Sequence, residues 1–386
     1  MSETSDDNPT GRSPGQPAAP TRPSSDSPAG QRPLTRGDVI ARFSVRGIRG
    51  GGKARRKARG RAWRSWVAWG GAAGWGAFAL LRWSDGDRIP GLGVFAAPVL
   101  AVTPYVAATA PIPVVAALVL RRPRAAIAAG LVTAGLLAAV LPRAVPGGQP
   151  AARGPELRVL SANLKFGSGD PARIVDLVRR MDADVLSLQE YPPEAVAKFE
   201  GAGLTGLLPY KVTDTRWGAA GSGLYSKYPL RALPSLPKTQ MAMPSAEFTL
   251  PGGRRVQITA VHPVPPINAE SLGDWRRDLG ELPSGGTTAS ASGGGAPEDG
   301  VTRVLAGDFN ATLDHATLRR LIGRGYADAA DRVGRGLVPT WGVGQAGPPL
   351  TIDHVLLDRR CAVRDVRILD LPGSDHRALF ARLQLP

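Results

Sequence analysis

Three stretches without a charged residue, 65–81, 89–120 and 125–141, follow one another so closely that they limit what this chain can be. The hydrocarbon core of a bilayer is about 30 Å thick and is crossed by about 20 apolar residues in a helix. The first and third stretches reach that length once flanking residues are counted. The second, 32 residues long, contains Pro98, Pro104, Pro111 and Pro113. As one straight helix it would run about 48 Å at 1.5 Å per residue. It is expected as a single kinked span with an interfacial lead-in, because a break at Pro111 to Pro113 leaves too few residues before Arg121 to cross again. Residues 63–142 are thus expected to form an all-α transmembrane segment of about three helices. Buried helices of a soluble domain fit poorly with three such runs in succession.

The charge is distributed to match. The chain carries 48 Lys+Arg against 32 Asp+Glu. Residues 1–150 hold 20 basic and 7 acidic residues, an excess of +13, and the remaining 28 and 25 leave only +3 for residues 151–386. In residues 1–33 Pro, Ser and Gly make up 16 positions, too little apolar surface to offset the entropy of ordering. Residues 36–64 then carry 11 Lys/Arg and one acid, Asp38. This basic run reads as the cytoplasmic flank of a first span; the other reading is a nucleic-acid-binding arm. With three spans, 14 basic residues fall on the side of the N-terminus and four, Arg82, Arg88, Arg143 and Arg153, on the other. The expectation is a multi-pass protein of the cell membrane with a disordered basic cytoplasmic tail (1–62), a Pro/Gly-rich linker (143–156) and an extracellular C-terminal domain (157–386). A fourth span would reverse that last placement. The single cysteine, Cys361, excludes a disulfide scaffold or a paired-thiolate zinc site and is expected to be buried packing.

From Leu157 the pattern is that of an α/β domain. Apolar runs at 157–160 and 185–189 end at Asn163 and Glu190, with a helix between them capped by Asp170-Pro171. A hairpin, 246–250 and 255–261, runs up to His262, and Val304-Leu305-Ala306 delivers Gly307-Asp308-Phe309-Asn310. Asp353 lies in the run 352–357, and after a last pair of strands the loop Gly373-Ser374 presents Asp375-His376. A carboxylate after one strand is usually a turn or rim residue; six strands ending in carboxylate, amide or imidazole concentrate ligands along one edge of a sheet. Hard oxygen donors favour Mg²⁺ or Mn²⁺.

The ordered set S-A-N-L (Asn163), L-Q-E-Y (Glu190), G-S-G-L-Y-S (Gly221 to Ser226), V-H-P (His262), G-D-F-N-A-T (Asp308, Asn310), I-D-H-V (Asp353) and G-S-D-H-R (Asp375, His376) resembles the endonuclease/exonuclease/phosphatase superfamily. The resemblance spans residue 157 to the end. In arrangement the chain also resembles a bacterial subgroup whose catalytic domain follows a few membrane helices. The resemblance implies a four-layer α/β/β/α sandwich with the site at one edge of two sheets. It further implies that Glu190 is the principal metal ligand, helped by Asn163 and by Asp375. His376 is implied as general base or acid and Asp353 as the group holding its tautomer. Asp308 would orient the attacking water or bind metal, and Asn310 and His262 would contact non-bridging phosphate oxygens. Lys165 stands where abasic-site enzymes of the superfamily carry an acid, and His262 instead resembles the deoxyribonuclease and sphingomyelinase branch.

These residues imply a membrane-anchored, divalent-metal-dependent phosphodiesterase or phosphatase acting on nucleic acid or on phospholipid and small phosphoesters. The alternative is a non-catalytic membrane-tethered scaffold with a degenerate domain. Its partners would be the substrate and the lipid bilayer; no obligate protein partner is evident. A transporter is disfavoured, since no charged residue interrupts the spans. Of the other residues, His354 is expected to be structural, His315 to lie on a helix surface, and Trp341 either to line the pocket or to pack. The Gly/Ser/Ala-rich insert 284–300 reads as a surface loop.

Overall fold

Strand period and helix period alternate along the chain as expected, and the elements they build are held in a computed structural model that describes residues 48–237, 239–286 and 300–386. Helices α1 (Ile48–Trp83), α2 (Gly93–Ala101), α3 (Thr103–Thr109), α4 (Pro111–Val119) and α5 (Pro123–Val140) come first. They are followed by α6 (Pro171–Arg180), α7 (Pro193–Gly201), α8 (Leu204–Leu207), α9 (Ala269–Glu281) and α10 (Ala316–Gly323). The strands are β1 (Glu156–Asn163), β2 (Val185–Gln189), β3 (Tyr210–Asp214), β4 (Ser222–Ser226), β5 (Arg231–Ala232) and β6 (Ser245–Thr249), then β7 (Arg255–Val261), β8 (Val301–Asp308), β9 (Tyr326–Asp328), β10 (Asp353–Asp358), β11 (Ala362–Asp370) and β12 (Arg377–Gln384).

Two six-stranded sheets result, ordered β11-β12-β1-β2-β4-β3 and β5-β6-β7-β8-β10-β9. Each has one parallel pair, β1 with β2 and β7 with β8, while the other neighbours run antiparallel. The sheets face each other across a core that includes Leu157, Val159, Val185 and Leu224 on one side and Val256, Ile258, Val304 and Val355 on the other. Because side chains alternate along a strand, Leu160 and Ala162 point the other way, onto Ile174, Leu177 and Val178 of α6. On the outer face of the second sheet Leu305 and Leu356 pack with Trp275 of α9 and Leu318 of α10. This is the mixed α/β sandwich the resemblance implied. One sequence expectation is corrected: the loop bearing Asp375 and His376 lies between β11 and β12, because β12 itself forms the last strand beside β1.

The apolar segment is helical throughout. Helix α5, extended to Ala144, is long and apolar enough to cross a membrane, and α2 with α3 and α4 reaches that length only when the two parts, bent by 64° at the break, are counted as one segment. The break falls just before Thr103-Pro104, within the proline-bearing stretch. Helix α1 is richer in Gly and Trp and does not reach the same apolarity among the described residues. It begins at Ile48, so residues 48–62, expected within the disordered tail, are helical; the rest of that tail, and residues 287–299 of the insert, lie outside the described residues. Ala68 packs with Ala117, Ala125 and Ala126 at one level, and Trp75 and Phe78 pack with Ala107, Ala110 and Leu136 at another. Arg122 bonds the carbonyl of Arg61, so those two residues share one end of the helical segment. Arg82 and Arg143 share the other.

At that second end the helices are bound into the sandwich, and residues 59–386 form one compact unit. Asp314 receives Arg82 Nε at 2.7 Å and both terminal nitrogens of Arg143 at 2.7 Å each, all buried. Burial raises the Asp314 pKa, but the hydrogen bonds and charges of Arg143 and Arg82 outweigh it and hold the carboxyl below its ordinary range. Asp87, fully buried, accepts from the backbone of Ala316 and Thr317 at 2.9 and 3.0 Å and so caps α10 from outside the sandwich. The expected linker 143–156 is not free: Gly147 bonds the Arg332 carbonyl at 3.0 Å, Gln149 accepts from Val363 at 2.9 Å and Gly154 bonds Leu385 at 2.8 Å.

Removing the charge of Asp314 leaves two buried guanidiniums without a counterion, a loss of about 3–5 kcal/mol for a buried pair. Asp314→Asn is therefore expected to lower the melting temperature of the detergent-solubilised full chain and to open the junction around Arg143 to protease. An unchanged melt would show that the clamp does not hold the helices to the sandwich.

Candidate active site

The ends of the two parallel pairs meet at one edge of the sandwich. Asn163 at the end of β1 is in register with Gln189 of β2, which places Glu190 one residue beyond. In the second sheet Val261 is in register with Gly307, so His262 and Asp308 emerge side by side, and Asp308 is in register with Asp353 on the antiparallel β10. Two carboxylates are thus juxtaposed by strand pairing alone. A Cβ on Gly307 would stand 2.0 Å from the Val261 carbonyl oxygen, so only glycine allows this approach of β7 and β8. Glu190 and Asn310 follow their strands with φ of 52° and 48°. That left-handed turn is costly for a glutamate, and strain of this kind collects at functional sites.

His376 is the centre of the cluster. Its Nδ1 lies 2.9 Å from Asp353 Oδ2 and its Nε2 3.7 Å from Asp308 Oδ2. Ser374 ties the loop to the first sheet by donating to the Asn163 carbonyl at 2.8 Å and accepting from the His376 backbone at 3.0 Å. Asn163 Nδ2 donates to Glu190 Oε1 and Asp308 Oδ2, each at 3.1 Å, while its oxygen accepts from the Lys165 backbone. Glu190 Oε2 accepts from the Phe166 backbone at 2.8 Å, and Glu190 Oε1 faces His262 Nε2 at 3.9 Å. Asp308 Oδ1 accepts from the Asn310 backbone at 2.8 Å, and the Asn310 amide reaches the Pro263 carbonyl. Asp375 accepts from Trp341 Nε1 at 3.3 Å.

The charges follow from this geometry. Burial would lower the His376 pKa, but the carboxylates of Asp353, Asp308 and Asp375 outweigh it and push it up to about 9. Burial and the neighbouring Asp353 carboxylate raise Asp308 well above the usual carboxylate range. His262 is driven down to about 4, first by burial and then by the positive charge on His376. At neutral pH the site therefore holds an imidazolium at His376 and a neutral imidazole at His262.

All eight residues singled out in the sequence come to this edge. The ligand atoms of Asp308, Asp353 and His376 lie within 4.8 Å of one another, the one such group among the described residues. Those three are already bonded or paired to each other. Glu190 and Asp375 line a cavity of about 470 Å³ together with Asp308, Asn310, His262 and His376. Oxygen donors without a thiolate suit a hard divalent cation, so the residues present fit Mg²⁺ or Mn²⁺. Asn163 turns its amide nitrogen toward Glu190 and Asp308, where it orients both carboxylates; its oxygen is occupied by the Lys165 backbone.

Trp341, for which packing and pocket lining were both open, lines this cavity. His315 is corrected from surface to interior: it is buried, with Nε2 2.8 Å from the Ala97 carbonyl and Nδ1 accepting from Thr312 at 2.9 Å. His354 is structural as expected, held between Asp328 at 2.7 Å and the Ala311 carbonyl at 2.8 Å, and Cys361 is buried. Sequence reasoning missed Ser374, although it sits inside a quoted motif. It also missed Ala97, Pro98 and Ala101 of α2, which line the same cavity and carry no polar signal at all.

Gly307→Ala is expected to force β7 and β8 apart and to displace Asp308 and His262 together. Overpacking of this kind costs about 1–3 kcal/mol, so the melting temperature should fall by several degrees with loss of any activity. A variant that melts and turns over like the parent would refute the close-approach argument.

No curated protein matches the chain. Among solved structures it is similar to a humanized D. rerio TDP2 carrying 14 mutations, at 18% identity over 59% of this chain and 98% of that one, with a TM-score of 0.45. It is also similar to an endonuclease/exonuclease/phosphatase from Beutenbergia cavernae DSM 12333, at 18% identity over 60% and 72% of the two chains (TM-score 0.43). A third is sphingomyelinase C from Streptomyces griseocarneus, at 15% identity over 59% and 99% (TM-score 0.39). The sequence profile of the Endonuclease/Exonuclease/phosphatase family matches residues 160–376, more than half of the chain and all eight site residues. On that match the chain belongs to the endonuclease/exonuclease/phosphatase family.

Proposed function

We propose that this chain is a membrane-anchored phosphoester hydrolase that depends on a divalent metal ion and works on the outer side of the membrane. Membership of the family supports phosphoester hydrolysis in general. The observation that carries the finer reading is His376, bracketed by Asp353 and Asp308 at the floor of a cavity that Glu190 and Asp375 also face. In this reading Glu190 and Asp375 hold Mg²⁺ or Mn²⁺, which when bound supplies a Lewis acid for a phosphoryl oxygen. Asn163 keeps Glu190 aimed at the cavity.

The chain's own residues do the proton work. Asp308, its basicity raised by burial, takes a proton from the attacking water as the oxygen to phosphorus bond forms. His376 donates its Nε2 proton to the leaving oxygen as the opposite bond to phosphorus breaks, and Asp353 on Nδ1 holds the ring in register. Neutral His262 and the Asn310 amide donate to non-bridging oxygens, where charge grows in the transition state.

In this reading α1, α2 with α3 and α4, and α5 make three passes. Arg61 and Arg122 lie at one end and the sandwich is bound at the other, so the N-terminus and the catalytic domain are assigned to opposite sides.

Glu190→Gln and chelation by EDTA are each expected to abolish most hydrolysis, and His376→Ala to cut it by about 10²- to 10⁴-fold, the usual contribution of a general acid or base. Parent-like turnover in either variant would remove the assignment. For topology, a C-terminal alkaline phosphatase fusion should be active and a C-terminal green fluorescent protein fusion dark; the opposite pair of results would place the domain in the cytoplasm.

A further inference from the structure

The cavity that contains the His376 cluster is only partly built by the sandwich. Ala97, Pro98 and Ala101 of α2 form one wall, and Pro265, Pro266 and Ile267 are also part of its lining. Helix α2 is a shared layer. Ala96, Ala97, Leu100 and Ala101 are buried, with Ala97 in the same apolar cluster as Trp275 and Phe309, whereas Leu92, Phe95 and Val99 project outward, Phe95 at 70% exposure. The helix is pinned by the Ala97 carbonyl on His315, and the neighbouring α3 is tied to the loop after Trp341 by Tyr105, whose hydroxyl donates to the Pro349 carbonyl at 2.6 Å. The rim is apolar as well, since Phe166 and Ile267 both line the cavity and are 58% and 78% exposed. Lys165 is the one lining residue with a fixed positive charge.

This is a poor surface for nucleic acid, whose affinity comes from several Lys or Arg neutralising successive phosphates. It is a suitable surface for a molecule with one phosphoester at the end of a hydrocarbon chain. We propose that α2 is part of the substrate site and that the substrate is an amphiphilic phosphoester drawn from the membrane. Its apolar chain lies against Pro98, Ala101 and Ile267 while the phosphoester reaches Glu190 and His376. The inference rests on the hydrolase reading above. The chain anchors the molecule, and hydrolysis releases the esterified alcohol, with Asp308 taking the proton from water and His376 giving one to the leaving oxygen as described there.

The test uses the full chain reconstituted in dioleoylphosphatidylcholine vesicles with Mg²⁺ or Mn²⁺ and two esters with one leaving group, hexadecyl p-nitrophenyl phosphate and ethyl p-nitrophenyl phosphate. Burial of three or four methylenes predicts that kcat/KM for the hexadecyl ester exceeds that for the ethyl ester by about 60- to 200-fold. Partition into the vesicle alone could raise the hexadecyl rate, so the decisive reading is the ratio of the two rates in variants. Pro98→Gln on α2 and Ile267→Gln on the sandwich are each expected to reduce that ratio at least tenfold, by the loss of apolar contact. Ile127→Ala, on the outward face of α5, should leave the ratio where it is. Two variants on separate elements keep the test valid if one fails to fold. Equal cleavage of the two esters, a ratio untouched by both Gln variants, or preferential cleavage of an oligonucleotide offered in the same assay would overturn the inference and leave the hydrolase reading intact. Absence of cleavage of every ester and oligonucleotide by the parent chain would instead overturn the hydrolase reading, and the inference with it.

Discussion

The contact on which the rest of this structure depends is the carboxylate of Asp314. It gathers Arg82 from the end of α1 and Arg143 from just beyond α5, in a site from which water is nearly excluded. Two guanidiniums against one carboxylate leave a net positive charge there, and the bidentate geometry of Arg143 compensates by satisfying both oxygens. Such a cluster contributes little stability over an apolar replacement of equal shape. What it supplies is uniqueness of placement, because any other seating of the helices would strand a buried charge.

Asp314 also belongs to a segment that serves two structures at once. Asp308 and Asn310 face the reacting edge, and only a few residues later Asp314 and His315 face the anchor helices. Asp87 adds to the same junction by capping α10 across the boundary. Movement of the helices relative to the sandwich would therefore be felt directly at the site. The cavity follows from this junction: α2 can serve as its wall because the clamp on one side and His315 beneath fix its position.

At the reacting edge the logic is electrostatic. Strand register brings Asp308 opposite Asp353, two carboxylates that repel one another in a buried place. His376 between them takes up the charge as an imidazolium, and Asn163 donates to Asp308 and Glu190 together. The arrangement places an imidazole between two carboxylates at the edge of the cavity.

The sequence by itself determined most of the elements and the residues that gather at the cavity. Period-two and helical apolar patterns, the caps at Asp170-Pro171 and the ordered motifs around Asn163, Glu190, Asp308, Asp353 and His376 were all legible, because each is a local property of a few consecutive residues. What only the tertiary structure decided concerns residues whose meaning depends on a partner far along the chain. Arg82 and Arg143 read as two stray outside charges until Asp314 stands between them. The Pro/Gly-rich stretch after Leu141 reads as a free linker until its backbone groups are seen bonded to Arg332 and Leu385. His315 reads as surface until α2 covers it, and Ala97, Pro98 and Ala101 carry no chemical signal of their own. Their role arises from position alone, and position is set by long-range packing that no short window of sequence contains.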